Sequence, residues 1–261
     1  MARQVNVSRH FRVIYAMWYR QVKRFLNMKA RVVSSIVQPI MWLALFGVGF
    51  RRFATPMGFD YLAFLAPGVV MMAAFVVGFQ AGASLIWDKE FGYFKEILVA
   101  PAPRAASLIG RCLGDATLAL LNSFIILVAV YFFVPSINVI GILFVTAVAF
   151  LIALCFTSLG TLIAMHIRNL ETFQLVMMLS IMPLMFLSSI FYPIDSMDFW
   201  MRTAAMLNPL TYGAELARYF LVPSVSSLSG MQALQYFVIL VVITLVLLEI
   251  SIFFFRKLTM G

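Results

Sequence analysis

The stretch WDKEFGYFKEILVAPAPR, residues 87–104, concentrates charge between two long apolar segments. Six charged side chains lie in it: Asp88, Lys89, Glu90, Lys95, Glu96 and Arg104. Its apolar side chains recur at helical spacing on one face: Trp87, Phe91, Phe94 and Leu98. Pro101 and Pro103 would end such a helix. The stretch predicts a short amphipathic helix at a membrane surface that docks a partner, and an ordinary solvated loop is the alternative.

The composition is typical of a membrane protein. Hydrophobic residues make up 64% of the 261 residues and charged residues 11%, whereas a soluble domain has about 25% charged residues. A hydrocarbon core about 30 Å thick needs about 20 apolar residues per helix, so this length allows about six spans. The apolar runs are continuous, whereas the strands of a membrane barrel alternate over about 10 residues. We therefore expect an all-α polytopic membrane protein.

The chain divides into an N-terminal segment, residues 1–31, and a transmembrane domain, residues 32–261. Apolar side chains in the N-terminal segment recur at helical spacing, which predicts an amphipathic interfacial helix on the cytoplasmic membrane surface. They are Phe11, Ile14, Tyr15, Trp18, Val22, Phe25 and Leu26. Six apolar runs follow, at residues 32–50, 61–86, 105–133, 139–165, 172–192 and 233–255. Each predicts a span, and the first is expected to be retained rather than cleaved as a signal peptide.

Basic residues set the expected orientation. If the N-terminus is cytoplasmic, 15 of the 19 Lys and Arg residues lie on the cytoplasmic side. The positive-inside rule then places both termini and residues 87–104 in the cytoplasm. The net charge of +9 is therefore explained by topology, and we expect membrane lipids rather than nucleic acid as its partner.

Ionisable residues inside the expected spans are few: Arg111, Asp115 and Glu249. Arg111 and Asp115 are four residues apart and are expected to pair with each other. Glu249 is expected to reach the interface or to face another helix. A proton relay needs a chain of such groups across the membrane, which the sequence lacks. Gly110 and Gly114, also four apart, predict a close packing face.

The connection at residues 193–232 predicts an external helical hairpin. Its amphipathic stretches, residues 197–207 and 211–221, are too short to span and are separated by Asn208-Pro209. We expect a re-entrant hairpin that dips into the outer leaflet and shapes an exit, and the alternative is two helices that rest on the outer surface.

The motifs of ATP binding and catalysis are absent from the sequence. It contains no Gly-x-x-x-x-Gly-Lys phosphate loop, and His10 and His166 stand apart from other candidate ligands. Cys112 and Cys155 lie in apolar segments and are expected to be buried small hydrophobes. We therefore expect no catalytic residue, metal or bound cofactor on this chain. What remains is a membrane path that draws its energy through a cytoplasmic surface helix.

Two motifs carry a family resemblance. The first is Glu90-Phe-Gly92, Glu96-Ile-Leu98, Pro101 and Arg104, and the second is Leu207-Asn-Pro-Leu-Thr-Tyr212 followed by Arg218. They are similar to an acidic-Gly-Thr-x-Glu-x-Leu-Leu-x-x-Pro-x-x-Arg stretch after the second span and an Asn-Pro-Leu-x-Tyr signature before the last. In this order among six spans, the chain resembles the permease subunits of type-2 ATP-binding-cassette (ABC) exporters. Tyr93 and Lys95 replace the family's Thr and Glu, as in the daunorubicin-type branch.

The resemblance implies a homodimer with two copies of an ABC ATPase docked on the cytoplasmic side, where the ATPase binds ATP and Mg²⁺. The coupling residues would be Trp87, Asp88, Glu90, Phe91, Gly92, Phe94, Lys95, Glu96, Leu98, Pro101 and Arg104. An exit-gate hairpin would carry Asn208, Pro209, Tyr212, Glu215 and Arg218. The path would run near spans one, two and five, where the candidates are Trp42, Phe46, Gln80 and Gln174.

The predicted function is the permease subunit of an ATP-driven exporter in a bacterial or archaeal plasma (inner) membrane. Such a subunit is not itself an enzyme. The apolar, Met-rich spans favour an amphiphilic substrate: a drug, a lipid or a lipid-linked glycan. An ATPase-independent secondary transporter or channel is the first alternative, and it would need a functional role for Glu249 or Asp115. A structural or assembly membrane protein without a path is the second.

Overall fold

The computed structural model describes residues 7–27, 29–49, 60–92, 103–134 and 137–258. These residues form helices and their connections, with no strand among them, as predicted. The helices are α1 (Val7–Asn27), α2 (Lys29–Gly49), α3 (Tyr61–Phe79), α4 (Ala83–Glu90), α5 (Arg104–Phe133), α6 (Gly141–His166), α7 (Leu170–Phe186), α8 (Phe199–Leu207), α9 (Pro209–Leu221) and α10 (Gly230–Leu258). A 3₁₀ turn, Gln80–Gly82, joins α3 to α4, so the two form one continuous rod.

Among the described residues, four helical segments are long and apolar enough to cross a membrane: Tyr61–Glu90, Arg104–Phe133, Gly141–His166 and Gly230–Lys257. They correspond to the predicted second, third, fourth and sixth spans. The predicted first and fifth spans correspond to shorter apolar helices, Val33–Leu45 and Leu170–Phe186. By length and composition, these helices are those of a multi-pass membrane protein.

The fifth apolar segment ends earlier than predicted. It was expected to continue to residue 192, but α7 ends at Phe186, three residues after Pro183. The carbonyls of the next residues accept hydrogen bonds from side chains of the hairpin instead of from a further helical turn. Residues 187–192 therefore leave the helix in a region where three of their carbonyls bond to side chains of the hairpin.

The centre of the fold is α3. It packs against α2, α5, α6 and α9, and 89% of the apolar stretch within Tyr61–Glu90 is buried. A helix that is apolar on every side is expected to be surrounded in this way. At Gly82 and Gly160 the rod and α6 approach so closely that an added Cβ on either glycine would overlap the other backbone.

The N-terminal helix α1 packs along α5. A Cβ added to Gly110 would lie 2.5 Å from the carbonyl oxygen of Ile14, and one added to Gly114 would lie 2.8 Å from the Cβ of Gln21. The prediction that Gly110 and Gly114 mark a packing face is therefore confirmed, and the partner of that face is α1.

The apolar face of α1 that was predicted to rest on the membrane has one part packed against α5 and another part exposed. Trp18 turns towards α5, where its Nε1 donates to Thr117 Oγ1 at 3.1 Å. Phe11 and Tyr15 are 68% and 64% exposed. Trp18 is therefore packed against protein, whereas Phe11 and Tyr15 are exposed, and the interfacial position of α1 on the membrane stays a prediction.

The predicted hairpin is present, with α8 and α9 separated by Asn208. Ala205 is the buried residue of α8, whereas most of α9 is buried against α3, α6 and α10. Of the two predicted arrangements, the one in which both helices rest on a surface is wrong for α9. Its amphipathic face meets the bundle, which explains the burial of so short a helix.

Candidate functional site

The first residues of the predicted docking stretch, Trp87 to Glu90, form the last turn of α4. The helix ends there, because Phe91 caps it and Gly92 takes a φ of +79°, a left-handed conformation that glycine adopts without strain. A single helix that starts at Trp87 and continues past Gly92 is therefore wrong, since Trp87 to Glu90 extend the second membrane helix.

The rest of the stretch is only partly described. Five predicted coupling residues lie outside the described residues: Phe94, Lys95, Glu96, Leu98 and Pro101. Arg104 begins α5. Phe91 is 72% exposed and borders a cavity of about 370 Å³ together with Arg20, Arg24 and Trp87. The Phe91 ring of this stretch thus lies at one surface with two guanidinium groups of α1.

Asp88 is a shared acceptor for three arginines. Its Oδ1 accepts from Arg20 at 2.7 Å and from Arg24 at 3.2 Å, and its Oδ2 accepts from Arg111 at 2.8 Å. The Asp88 and Arg111 side chains are each 2% exposed. Asp115 was the partner predicted for Arg111, and the structure instead gives Arg111 a salt bridge with Asp88 on a neighbouring helix. A buried charge is tolerated when it is paired and hydrogen-bonded in this way.

Polar side chains of three helices continue this cluster. Gln21 of α1 is buried, and its Nε2 donates to Ser84 Oγ and to Asp115 Oδ2, both at 3.3 Å. Ser84 Oγ also accepts from Arg111 at 2.6 Å. Together with Asp88, these residues form what we call the Asp88 cluster, which joins α1, α4 and α5.

Arg24 belongs to the edge of this cluster. Its guanidinium lies 4.9 Å from the centre of the Trp87 ring, a distance suited to a cation–π contact. Burial lowers the pKa of Arg24, the charges of Arg111 and Arg20 lower it further, and Asp88 opposes them. An arginine keeps its charge at neutral pH in such surroundings, so Arg24 holds both Trp87 and Asp88.

Lys89 contacts a different helix. Its Nζ donates to the carbonyl oxygens of Ala164 and Met165 at 3.0 Å each. These are among the last carbonyls of α6, which receive no hydrogen bond from an N–H group of their own helix. A cation at the C-terminus of a helix also opposes the negative end of the helix dipole. Lys89 therefore ties the end of α4 to the end of α6.

Glu90 contacts a fourth helix. Its Oε1 accepts from the backbone N–H of Leu170, the first residue of α7, at 3.2 Å. A carboxylate is favourable at a helix N-terminus because the first N–H groups are unpaired and carry partial positive charge. Asp88, Lys89 and Glu90 thus connect the end of α4 to α1, α5, α6 and α7.

The second predicted motif connects α7 to α9. Asn208 caps α9, because its Oδ1 accepts from the N–H of Leu210 at 3.0 Å. Its Nδ2 donates to the carbonyls of Leu184 and Leu187, at 2.7 and 2.8 Å, at the end of α7. Pro209 occupies the first position of α9, where its missing N–H is not needed. One side chain therefore satisfies both helix ends.

Arg218 fixes the same region from within the bundle. It is 1% exposed. Its Nε donates to the Phe64 carbonyl at 3.0 Å, and its Nη1 donates to Glu215 Oε1 at 2.7 Å and to Ser189 Oγ at 3.2 Å. Its Nη2 donates to the carbonyls of Ser189 and Ile190. The five N–H groups of the guanidinium therefore have five acceptors.

The structure brings the predicted hairpin residues together at the far end of the rod from Asp88. Tyr212 supports the hairpin by donating to the carbonyl of Met206. Phe64, above which Arg218 lies, and Asp88 are 24 residues apart along α3 and α4, which is on the order of 36 Å at helical rise. This separation matches the thickness of a bilayer core, about 30 Å.

Comparison with known proteins identifies the family. A family model described as ABC-2 type transporter matches residues 12–222, from α1 to just past α9. The chain belongs to the ABC-2 type transporter family. It is therefore a membrane permease subunit of an ABC transporter, and the family implies an ABC ATPase subunit as its partner.

Relatives of this ABC-2 permease share about a quarter to a third of its residues. The ycf38 protein of Cyanophora paradoxa is 31% identical over 76% of this chain and 71% of its own. The inner membrane transport permease YadH of Escherichia coli K12 is 26% identical over 78% of this chain and 80% of its own. The daunorubicin resistance ABC transporter permease protein DrrB1 of Streptomyces coeruleorubidus is 26% identical over 77% of this chain and 71% of its own.

Three of the four predicted path residues of the permease line one groove. Gln80 and Gln174 line a cavity of about 540 Å³, and Trp42 and Gln80 line an adjoining cavity of about 140 Å³. Phe46 lies on α2, but its side chain is outside the described part of the chain. Gln38 lines both cavities and was not predicted. An amide in an otherwise apolar run was the signal that could have found it.

Glu249 was predicted either to reach the interface or to face a helix. It is exposed on α10, and no hydrogen bond or salt bridge joins it to another described residue. Only 22% of the apolar stretch of α10 is buried. Glu249 therefore lies on an outward apolar face of the permease, apart from the Asp88 cluster and from Arg218.

Proposed function

We propose that this chain is the permease of an ATP-driven exporter, in which two copies form a shared path and two ABC ATPase subunits dock on the cytoplasmic side. ATP and Mg²⁺ bind to the ATPase, and the permease supplies no catalytic residue or cofactor. Six segments cross the membrane: α2, the rod of α3 and α4, α5, α6, α7 and α10. Both termini are cytoplasmic. The substrate is an amphiphilic drug, lipid or lipid-linked glycan.

The main support for this proposal is the set of hydrogen bonds that join Asp88, Lys89 and Glu90 to four other helices. The residue after them, Phe91, ends α4 and is exposed where a partner can contact it. A displacement of this point acts on α1, α5, α6 and α7 through charge-assisted hydrogen bonds. The end of α4 is therefore suited to move between two positions, each of which would correspond to one conformational state of the helix bundle.

The surface around Phe91 supports the ATPase contact. Large exposed aromatic rings beside arginines are the residues that most often dominate protein interfaces. Phe91, Trp87, Arg20 and Arg24 border one cavity of about 370 Å³, into which a side chain of the ATPase can fit. The positive charge of this region also supports its cytoplasmic location.

The glutamine groove supports a path shared between two copies. Gln38, Gln80 and Gln174 face a groove that the described part of a single copy leaves open on one side. A two-fold related copy would close it, because a two-fold axis places the same surface on both sides. The charge-free lining of amides, Met and Trp suits an amphiphile better than a charged glycan.

The names of two relatives support the location and direction. The Escherichia coli relative is named for the inner membrane and the Streptomyces relative for daunorubicin resistance. By analogy, we place this permease in the inner membrane and assign it to export.

Co-purification tests the proposal. The tagged permease should retain the ABC ATPase encoded beside it and should stimulate its ATP hydrolysis in membranes. Phe91→Ala should weaken the association by about tenfold or more, since it removes an exposed aromatic anchor. Phe199→Ala is the matched control, because Phe199 is 86% exposed but belongs to the hairpin. Failure of any ATPase to associate with the wild-type permease would reject the proposal.

A further inference from the structure

A cavity of about 390 Å³ lies between the hairpin, the start of α3 and the start of α10. It is separate from the Asp88 cluster and from the glutamine groove, which are lined by other residues. Described residues of a single copy form its walls. Its volume falls within the range of small-molecule sites, about 300–1,000 Å³.

Glu215 supplies a buried carboxylate to this cavity. The residue is 7% exposed. Its Oε1 accepts from Arg218 at 2.7 Å, while its Oε2 has no hydrogen-bond partner among the described residues. Oε2 keeps some accessible surface and is not sealed in the interior, so a donor that enters from the cavity can reach it.

The positive partner of Glu215 lies away from the cavity. Arg218 does not line it, and its remaining donors are committed to Phe64, Ser189 and Ile190. The pair therefore presents its negative end to the cavity. At the mouth, Asp195 and Arg202 form an exposed pair at 3.5 Å that adds no net charge.

Neutral acceptors and apolar surface complete the wall. Tyr236, Ser224 and Ser227, which carry hydroxyl groups, line the cavity together with Glu215. Met206 and Leu228 add apolar surface. An ammonium group has three N–H donors and no acceptor, which matches a cavity lined by a carboxylate and by residues with hydroxyl groups. An apolar body attached to it would contact Met206 and Leu228.

We propose that this cavity binds a primary ammonium group carried on an apolar body, with Glu215 Oε2 as its main acceptor. The ammonium group can come from a soluble amphiphilic amine or from the headgroup of a phospholipid. The site does not depend on ATP-driven export, because one copy of the permease contains it. A failure of the proposed export function would therefore leave this proposal standing, and the reverse also holds.

Binding of decylamine to the full-length permease tests the site. The permease is placed in nanodiscs of phosphatidylcholine, and calorimetric heats are corrected with empty nanodiscs. Decylamine should bind to the wild type with a saturable heat, and decanol, which has the same chain without the charge, should not. Equal saturable binding of decylamine and decanol would overturn the proposal.

Three variants locate the binding. Glu215→Gln should weaken decylamine binding by about tenfold or more, because a desolvated charge pair is lost. Ser227→Phe fills the cavity from the connection before α10 and leaves the Glu215–Arg218 pair intact, so it should abolish binding without loss of folding. Asp198→Asn, at an exposed position of the same connection that does not line the cavity, should keep wild-type affinity. Wild-type affinity in Ser227→Phe would overturn the proposal.

Lipid composition distinguishes the two sources. If nanodiscs that contain phosphatidylethanolamine reduce the apparent affinity for decylamine in the wild type but not in Ser227→Phe, a lipid headgroup occupies the site. If they leave the affinity unchanged, the site takes a soluble amine. Both results support an ammonium site.

Discussion

Asp88 and Arg111 form a salt bridge of 2.8 Å in which both side chains are 2% exposed. They belong to α4 and α5, and α1 adds Arg20 and Arg24 to the same carboxylate. The carboxylate is thus an acceptor that these three guanidinium groups share. The negative charge of Asp88 therefore helps to hold α1 against the bundle.

Replacement of Asp88 by Asn should lower the free energy of unfolding by about 3–5 kcal/mol, because Arg111 would remain buried without its partner. The measurement is the thermal unfolding midpoint in detergent. Asp195→Asn is the matched control, since Asp195 is 75% exposed in its pair with Arg202 and should contribute about 1 kcal/mol or less. Equal midpoints for the two variants would contradict a structural role for the Asp88 cluster.

Lys89→Met should reduce the coupling of ATP hydrolysis to export strongly while reducing stability only slightly. It removes the hydrogen bonds to the end of α6, which should cost about 1 kcal/mol of stability. The ATPase should still associate, because Phe91 is unchanged. Substrate exported per ATP hydrolysed should fall by about fivefold or more, since α6 no longer follows the end of α4.

The control for Lys89→Met is Lys257→Met. Lys257 lies in the last turn of α10 and contacts the ring of Phe253 at 4.5 Å, without bonding to another helix end. This variant should export normally. Normal export by Lys89→Met as well would contradict the transmission of movement through α6.

Features set by local sequence were predictable. The hairpin followed from Asn208-Pro209, because a capping residue and a proline at the first helical position specify a helix start wherever they occur. The packing face of Gly110 and Gly114 followed from their spacing, since small residues four apart permit close contact. Neither inference required knowledge of a distant residue.

Features set by distant contacts were not predictable. Arg111 was assigned to Asp115 because they are four residues apart, but its partner comes from α4, 23 residues away in sequence. Gln38 was missed because its role depends on how α2 lies against α3 and α7. The break at Gly92 was overlooked because the amphipathic pattern continues across it, although a glycine at that point was a possible helix end.

Arg218→Lys should be strongly destabilising although lysine keeps the positive charge. Lysine offers three donors from one atom, whereas Arg218 reaches acceptors on α3, α9 and the segment after α7 with a planar five-donor group. We expect a loss of about 2 kcal/mol or more, measured as a lower unfolding midpoint and faster proteolysis between residues 187 and 193. Arg202→Lys, at a site 51% exposed, should behave as wild type. Equal proteolysis of both variants would contradict this role for Arg218.

Gln38→Leu should change which amphiphiles are exported. Gln38 lines both cavities of the groove, and loss of a neutral hydrogen bond to a substrate costs about 0.5–1.5 kcal/mol. Accumulation of a panel of amphiphilic dyes in cells that express the permease with its ATPase should rise about two- to tenfold for dyes rich in hydroxyl or carbonyl groups. Gln235→Leu is the control, because Gln235 is exposed on α10 and lines neither cavity. If both variants export the panel alike, the groove does not select the substrate.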